Sequence, residues 1–389
     1  MSEPVLFPFR PNWHRPVVER LEWLTDVQEA LDLTEECIQL RSMPRRALEY
    51  DVLLRDHALT DFDARLWGWQ AEEYWLPIWT DVQTCALVPA ETSVLPAETA
   101  GYDFAAGGRA VLLRDAQSWE LLDIDAVQPD ALVLAAPTAQ AWPAGTRLYP
   151  VRRARLPPEV GALRGSAAVG RGTVRFDLEP STWPASPAAV LYRDLEVSLR
   201  RPNWVAGVPQ QYHRKVEVLD NRTGRPYVDD LSGMPTTTRT HRVTLGNRAD
   251  IAAWRGWLYA RAGRRHRFWQ PQWQVDRISV APVTAAATAL QVRALDHAAA
   301  YGNAEGRRDI AIRHRPSAQW LFRRIESVTG PMAGVETLHL DASLGIDAQP
   351  SELFVTWLTP SRLDADAVEI AWHSAGAAVS VYDVRSGRE

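Results

Sequence analysis

The sequence predicts a mainly β protein of the α+β class, built from two copies of one module. Each copy is expected to be a β-sandwich with one packed helix, followed by a small β domain. Three observations carry this. Landmark residues recur in the same order in both halves, strands of period-two alternation recur beside them, and a helix-start signal follows each strand.

The landmarks come first. Arg10-Pro11-Asn12-Trp13 returns as Arg201-Pro202-Asn203-Trp204, and Met43-Pro44 as Met234-Pro235, each 191 positions later. Trp67 and Trp79 find counterparts in Trp257 and Trp269 at a spacing of 190. The expected divisions are a first module over 1–95, a small β domain over 96–160 and a linker over 161–195. A second module over 196–285 and a C-terminal β domain over 286–389 complete the chain. The Pro-, Gly-, Ala- and Arg-rich stretch from Arg155 to Arg175, with the proline run from Pro180 to Pro187, marks the link.

After Met43-Pro44 the residues Tyr50, Val52 and Leu54 alternate as in a half-buried strand, and His241, Val243 and Leu245 do so after Met234-Pro235. Thr60 with Asp63 reads as a helix cap in the first half, and Asn247 or Asp250 in the second. Phe62, Leu66 and Trp69 then fall at helical spacing, as do Ile251, Trp254 and Leu258, with Gly263 as the second stop. Trp67 and Trp257 are expected to be buried at equivalent helix–sheet contacts. Further strands are expected at Pro77-Ile78-Trp79 and Arg267-Phe268-Trp269. Short apolar runs at Val111–Leu113, Leu132–Leu134, Ile310–Ile312 and Leu338–Leu340 predict the small β domains. Phe354–Trp357, Val368–Trp372 and Val379–Tyr382 predict three more strands, and Asn221 to Gly224 a hairpin turn.

Composition narrows the function. Apolar residues are 46% and charged residues 23%, an ordinary globular balance. The two cysteines, Cys37 and Cys85, cannot build a disulfide framework and read as small buried hydrophobes. The opening residues lack the apolar run of a signal peptide, and no stretch reaches the ~18 apolar residues of a membrane span. Net charge of −5 gives no pull toward nucleic acid. Seventeen tryptophans suit interfaces as well as cores. Lys215 is the only lysine among 43 basic residues, and arginine suits fixed, partly buried ion pairs.

Chemistry-bearing motifs are sparse. Gly165 to Gly170 has Walker-like glycine spacing but continues as Arg171-Gly172, without the Lys and Ser or Thr that hold phosphate and magnesium. The histidines show no HExxH pattern, no GxSxG elbow surrounds a serine, and His57 beside Asp56 reads as a surface pair. Glu35-Glu36 and Glu72-Glu73 are chain neighbours whose side chains diverge. No catalytic, cofactor or metal residue is therefore expected. Arg264, Arg265 and Arg267, in a run that ends at Phe268-Trp269, mix cations with aromatics and read as a subunit interface seeking carboxylates. A second basic stretch spans Arg313-His314-Arg315 and Arg323-Arg324.

Phe7-Pro8-Phe9-Arg10-Pro11-Asn12-Trp13, Glu22 to Val27 and Leu40 to Arg46 together resemble the N-terminus of tail-tip proteins of Mu-like phages with long, non-contractile tails. The run from Trp357 to Ile370 resembles their C-terminal segment. The resemblance implies tail-tube-like modules and a distal-tail or upper baseplate-hub role in the virion, after synthesis in the host cytoplasm. It implies a homo-oligomeric ring, a trimer with pseudo-six-fold symmetry or else a hexamer. The implied partners are the tail tube protein, the tape-measure protein and other tail-tip proteins. A receptor- or carbohydrate-binding tail module and a cell-wall hydrolase are the rival readings.

Overall fold

The computed structural model describes residues 3–184, 190–302 and 304–387. Its first half opens with β1 (Val5–Leu6), β2 (Val17–Glu22) and a hairpin of β3 (Thr25–Glu29) and β4 (Glu35–Gln39). Next come β5 (Arg45–Arg55), α1 (His57–Trp69) and β6 (Glu73–Pro77). A small domain follows, with β7 (Gln83–Thr84), β8 (Val94–Pro96), β9 (Arg109–Leu113), β10 (Trp119–Gln128) and β11 (Ala131–Leu134). The chain then returns through β12 (Arg147–Arg155) and a hairpin of β13 (Ala162–Arg164) and β14 (Val169–Leu178). Alternation builds the central sheet: in β5, residues 46, 48, 50, 52 and 54 are all buried. Its order is β13-β14-β5-β2, antiparallel throughout.

The second half runs β15 (Leu191–Tyr192), β16 (Leu195–Glu196), β17 (Gln210–His213) and a hairpin of β18 (Val216–Leu219) and β19 (Tyr227–Asp230). It continues with β20 (Thr236–Leu245), α2 (Arg248–Arg261) and β21 (Phe268–Pro271). The second small domain holds β22 (Ala289–Arg293), α3 (His297–Ala300), β23 (Asp309–His314), β24 (Trp320–Met332) and β25 (Val335–Leu340). The return strand β26 (Leu353–Leu363) and the hairpin of β27 (Ala367–Ser374) and β28 (Ala377–Ser386) finish it. The second central sheet has the order β27-β28-β20-β17, again antiparallel.

The same local contacts recur in the two halves. Asn12 N–H donates to Asp51 O (2.9 Å) and Asn203 N–H to Arg242 O (2.6 Å). Each asparagine side chain also caps the amide two residues on, at His14 (2.9 Å) and Val205 (3.1 Å). Leu6 lies parallel to Trp75, and Val197 parallel to Trp269. The fold is mainly β, as expected.

Several expectations need correction. The connection from strand to helix is one residue longer in the second half, and that from helix to strand three residues longer. In register with the buried positions, Leu59, Phe62 and Leu66 correspond to Ile251, Trp254 and Leu258, so Trp67 matches Tyr259 rather than Trp257. Trp257 is buried at 8% exposure, but Trp67 is 94% exposed. By the same parallel pairings Trp269 matches Trp75, leaving Trp79 to match Trp273. Thr60 is inside α1, which begins at His57 after Asp56, whereas Asn247 does cap α2 through its side chain.

The linker expected over 161–195 contains β13 and β14, and β14 pairs with β5 along ten residues. The glycines of the Walker-like run sit in this hairpin, and Gly170 is there because a Cβ would stand 2.6 Å from Leu59 Cδ1. The small domains also lie elsewhere than expected, because β12 and β26 are shared strands. One end of β12 pairs with β9 of the small domain and the other with β6; β26 likewise pairs with β23 and then β21. Residues 185–189 of the proline-rich run lie outside the described residues.

One core runs through both central sheets, from Phe7, Tyr50 and Phe62 to Trp254, Tyr382 and Val384. Separate cores fill the small domains, around Leu112, Leu132 and Trp142 in one and Val292, Ile312 and Trp357 in the other.

Candidate functional site

What the chain builds with most care is the junction between its halves. Strand β2 pairs antiparallel with β27, from Val17 against Trp372 to Glu22 against Ala367. The two four-stranded sheets thereby become one sheet of order β13-β14-β5-β2-β27-β28-β20-β17.

Charged side chains are buried behind this seam. Glu19 lies in phase with Val17 and Leu21 on the inward face of β2, so its carboxylate enters the interior. It accepts from Arg46 Nε at 2.8 Å, from Arg255 Nη2 at 2.6 Å and from Trp372 Nε1 at 3.0 Å. Arg46 also pairs with Asp103, which Arg152 reaches at 2.5 Å. Arg248 holds Asp81 at 2.8 Å. Arg248 and Arg255, both on α2, also lie 5.2 and 4.9 Å from the Trp372 ring. Burial pushes the Glu19 carboxyl up, but Arg255 and Arg46 outweigh it and hold the group below its ordinary value. For Asp103, burial is likewise overcome by Arg46 and Arg152.

The hairpin β3–β4 clasps the second half. Arg362 forks onto Glu35 at 2.7 and 2.8 Å, and Arg385 reaches Glu35 at 3.1 Å and also holds Glu29. Asp366 accepts from Thr25 N–H (2.8 Å) and Thr25 Oγ1 (2.9 Å) and from Arg264 N–H (3.0 Å). Trp23 meets Tyr259 of α2 edge to face at 5.7 Å.

The three arginines singled out in the sequence lie here. Arg264 donates to Thr25 O at 2.8 Å, Arg265 to Gln39 Oε1 and Arg267 to Glu35 O at 3.4 Å. All three acceptors belong to the first half of the same chain. The expectation missed Glu19, Arg46 and Arg255, whose signal is a charge on the apolar phase of its element. Trp13 and Trp204 are exposed at their turns, while Pro44 and Pro235 precede β5 and β20.

No family model matches the chain, and a search of curated proteins finds no relative. Among the described residues, no three His, Cys, Asp or Glu side chains are grouped to hold a metal, and no helix is long and apolar enough to cross a membrane. Cys37 and Cys85 are free, and burial pushes both thiols up, Cys85 to about 11.

Gly263 follows the left-handed Ala262 that caps α2 and is itself at φ +69°, where a side chain is strained. An added Cβ would meet the Asp366 carboxylate and stand 2.8 Å from Trp23 Cβ. Gly263→Ala should therefore lower stability by about 1–3 kcal/mol, read as a shifted denaturation midpoint at unchanged slope. An unchanged midpoint would show that the clasp tolerates displacement.

Proposed function

We propose that the chain is a structural protein of a phage tail tip, of the distal-tail or upper baseplate-hub kind, and not an enzyme. It forms a ring in the virion that joins the tail tube to the tip complex. One observation carries the reading. The halves meet head to tail, β2 against β27, and among the described residues the outer sides of β13 and β17 are left unpaired. The corresponding strands are β2 with β17 and β27 with β13, so the open edges are the two halves of a second such seam. A heterologous contact of this kind closes into rings. The tail-tip motifs at both ends of the sequence supply the setting, and duplication of one module supplies the origin of the likeness between halves.

Three copies bring six modules, which matches a six-fold tube on one side and a three-fold tip on the other. Native mass spectrometry of the full chain, with reconstruction of the particle, tests this. A trimer is the expected result; a hexamer keeps the ring but removes the symmetry adaptor, and a chain that is monomeric within the particle overturns both.

A further inference from the structure

Helix α2 lies on the first half with one face. That face is Ala252, Arg255, Gly256 and Tyr259, the i, i+3, i+4, i+7 set of a helical stripe. Ala252 is the residue a Cβ at Gly101 would touch, at 3.0 Å; Arg255 enters the Glu19 site, and Tyr259 meets Trp23. The matching stripe on α1 is Thr60, Asp63, Ala64 and Trp67. Its one tie to the rest of the chain among the described residues is the ion pair of Asp63 with Arg164 of β13, and Trp67 is 94% exposed. A tryptophan so exposed on a rigid helix is a feature of interfaces rather than of free surfaces.

The surface this stripe would need is present on the second half. By strand register, Gln210 stands where Glu19 does, Arg214 where Trp23 does and Thr237 where Arg46 does. Arg214 and Thr237 line a cavity of about 350 Å³, together with Tyr212, Gln274, Asp276 and Arg307. In the first half the corresponding space is filled by α2. Arg239 is buried beside the cavity with its Nε on Gln210 (2.9 Å), while its Nη2 has no hydrogen-bond partner. Burial, together with the nearby Arg307, pushes the Arg239 guanidinium down to about 10, the direction of a cation short of counter-charge.

We infer that α1 of one copy docks its Thr60–Asp63–Ala64–Trp67 face into this cavity of a second copy, with Trp67 against Arg214 and Tyr212 and Asp63 toward Arg239 and Arg307. The occupant is a second copy because the chain already makes the same contact with itself, in the other sense, at its internal junction. Strand β13 then takes the place of β27 and lies along β17. Arg164, which pairs with Asp63, takes the place of Trp372 beside Arg255. The inference rests on the ring reading and names the residues that close it.

The test uses the full chain in a Cys37→Ser background. Trp67→Ala should leave the thermal midpoint unchanged and weaken self-association roughly thirtyfold, the scale of a central hot-spot residue. Trp67→Tyr, the residue of the internal contact, should retain most of the affinity. Trp67→Cys with Arg214→Cys should form intermolecular disulfides that end in one closed species. Assembly unaffected by Trp67→Ala, with no crosslink, overturns the docking and leaves the ring standing. A parent chain that stays monomeric at every concentration, with its cysteine pair unlinked, overturns both.

Discussion

Glu19→Ala is expected to destabilise the protein by about 3–5 kcal/mol, the cost of leaving buried charges without their partner. Arg46 and Arg255 are fully buried and both rely on this carboxylate, while Trp372 Nε1 would lose its acceptor. Urea denaturation followed by tryptophan fluorescence measures the change. A loss under about 1 kcal/mol would mean that water or Asp81 replaces the carboxylate. The same cluster sets an acid limit. Glu19, Asp103 and Glu35 are all held below their ordinary values. Their contribution is fully present above the ordinary carboxylate range and is lost as pH falls through the depressed folded-state values. Stability should therefore decline below about pH 4.5, and the Glu19→Ala variant should decline less steeply.

Trp254→Ala is expected to cost about 3–5 kcal/mol, as for other large aromatic truncations in a core. The ring stacks on Trp257 at 4.9 Å and 12° and packs against Tyr382 at 4.9 Å, with the Arg200 guanidinium 5.5 Å from its centre. Trp257 and Tyr382, the rings packed against it, are too large to rotate into the vacancy. Calorimetry of the pure variant gives the value. The contrast with Trp67→Ala, expected within about 0.5 kcal/mol for the isolated chain, makes the pair diagnostic. Equal effects at both positions would contradict the placement of α1.

Much of the fold was legible because period-two alternation survives in β5 and β20, and because the RPNW turns use their asparagines in the same way. The Asn247 cap was legible too, since it does a local backbone job that its residue type announces, whereas α2 ends on the left-handed Ala262, one residue before the expected Gly263. The helix register was not. Matching tryptophan to tryptophan followed residue identity, whereas the burial of Leu59 and Phe62 against Ile251 and Trp254 is what fixes the phase. Strand β14 was hidden for a similar reason: Gly170 and Gly172 interrupt its apolar pattern to let a helix and a neighbouring strand approach. The junction was the least legible part. A glutamate within an alternating strand and an arginine on a helix read as solvent-facing until the partner 236 positions away is brought beside it.

Opposite polarity at the two kinds of seam gives the chain a rule of order. Within the chain a helix cation, Arg255, enters an acidic site made by Glu19 and Asp81. Between chains, in the docking inferred above, a helix anion, Asp63 with its partner Arg164, meets a site where Arg239 and Arg307 stand beside Asp276. First modules alone could not polymerise, because Asp63 would then face Glu19; second modules alone would set Arg255 against Arg239. Like charges forced together in this way are costly, so the arrangement rejects wrong neighbours as well as selecting right ones. In that docking, first and second modules alternate around the closed ring.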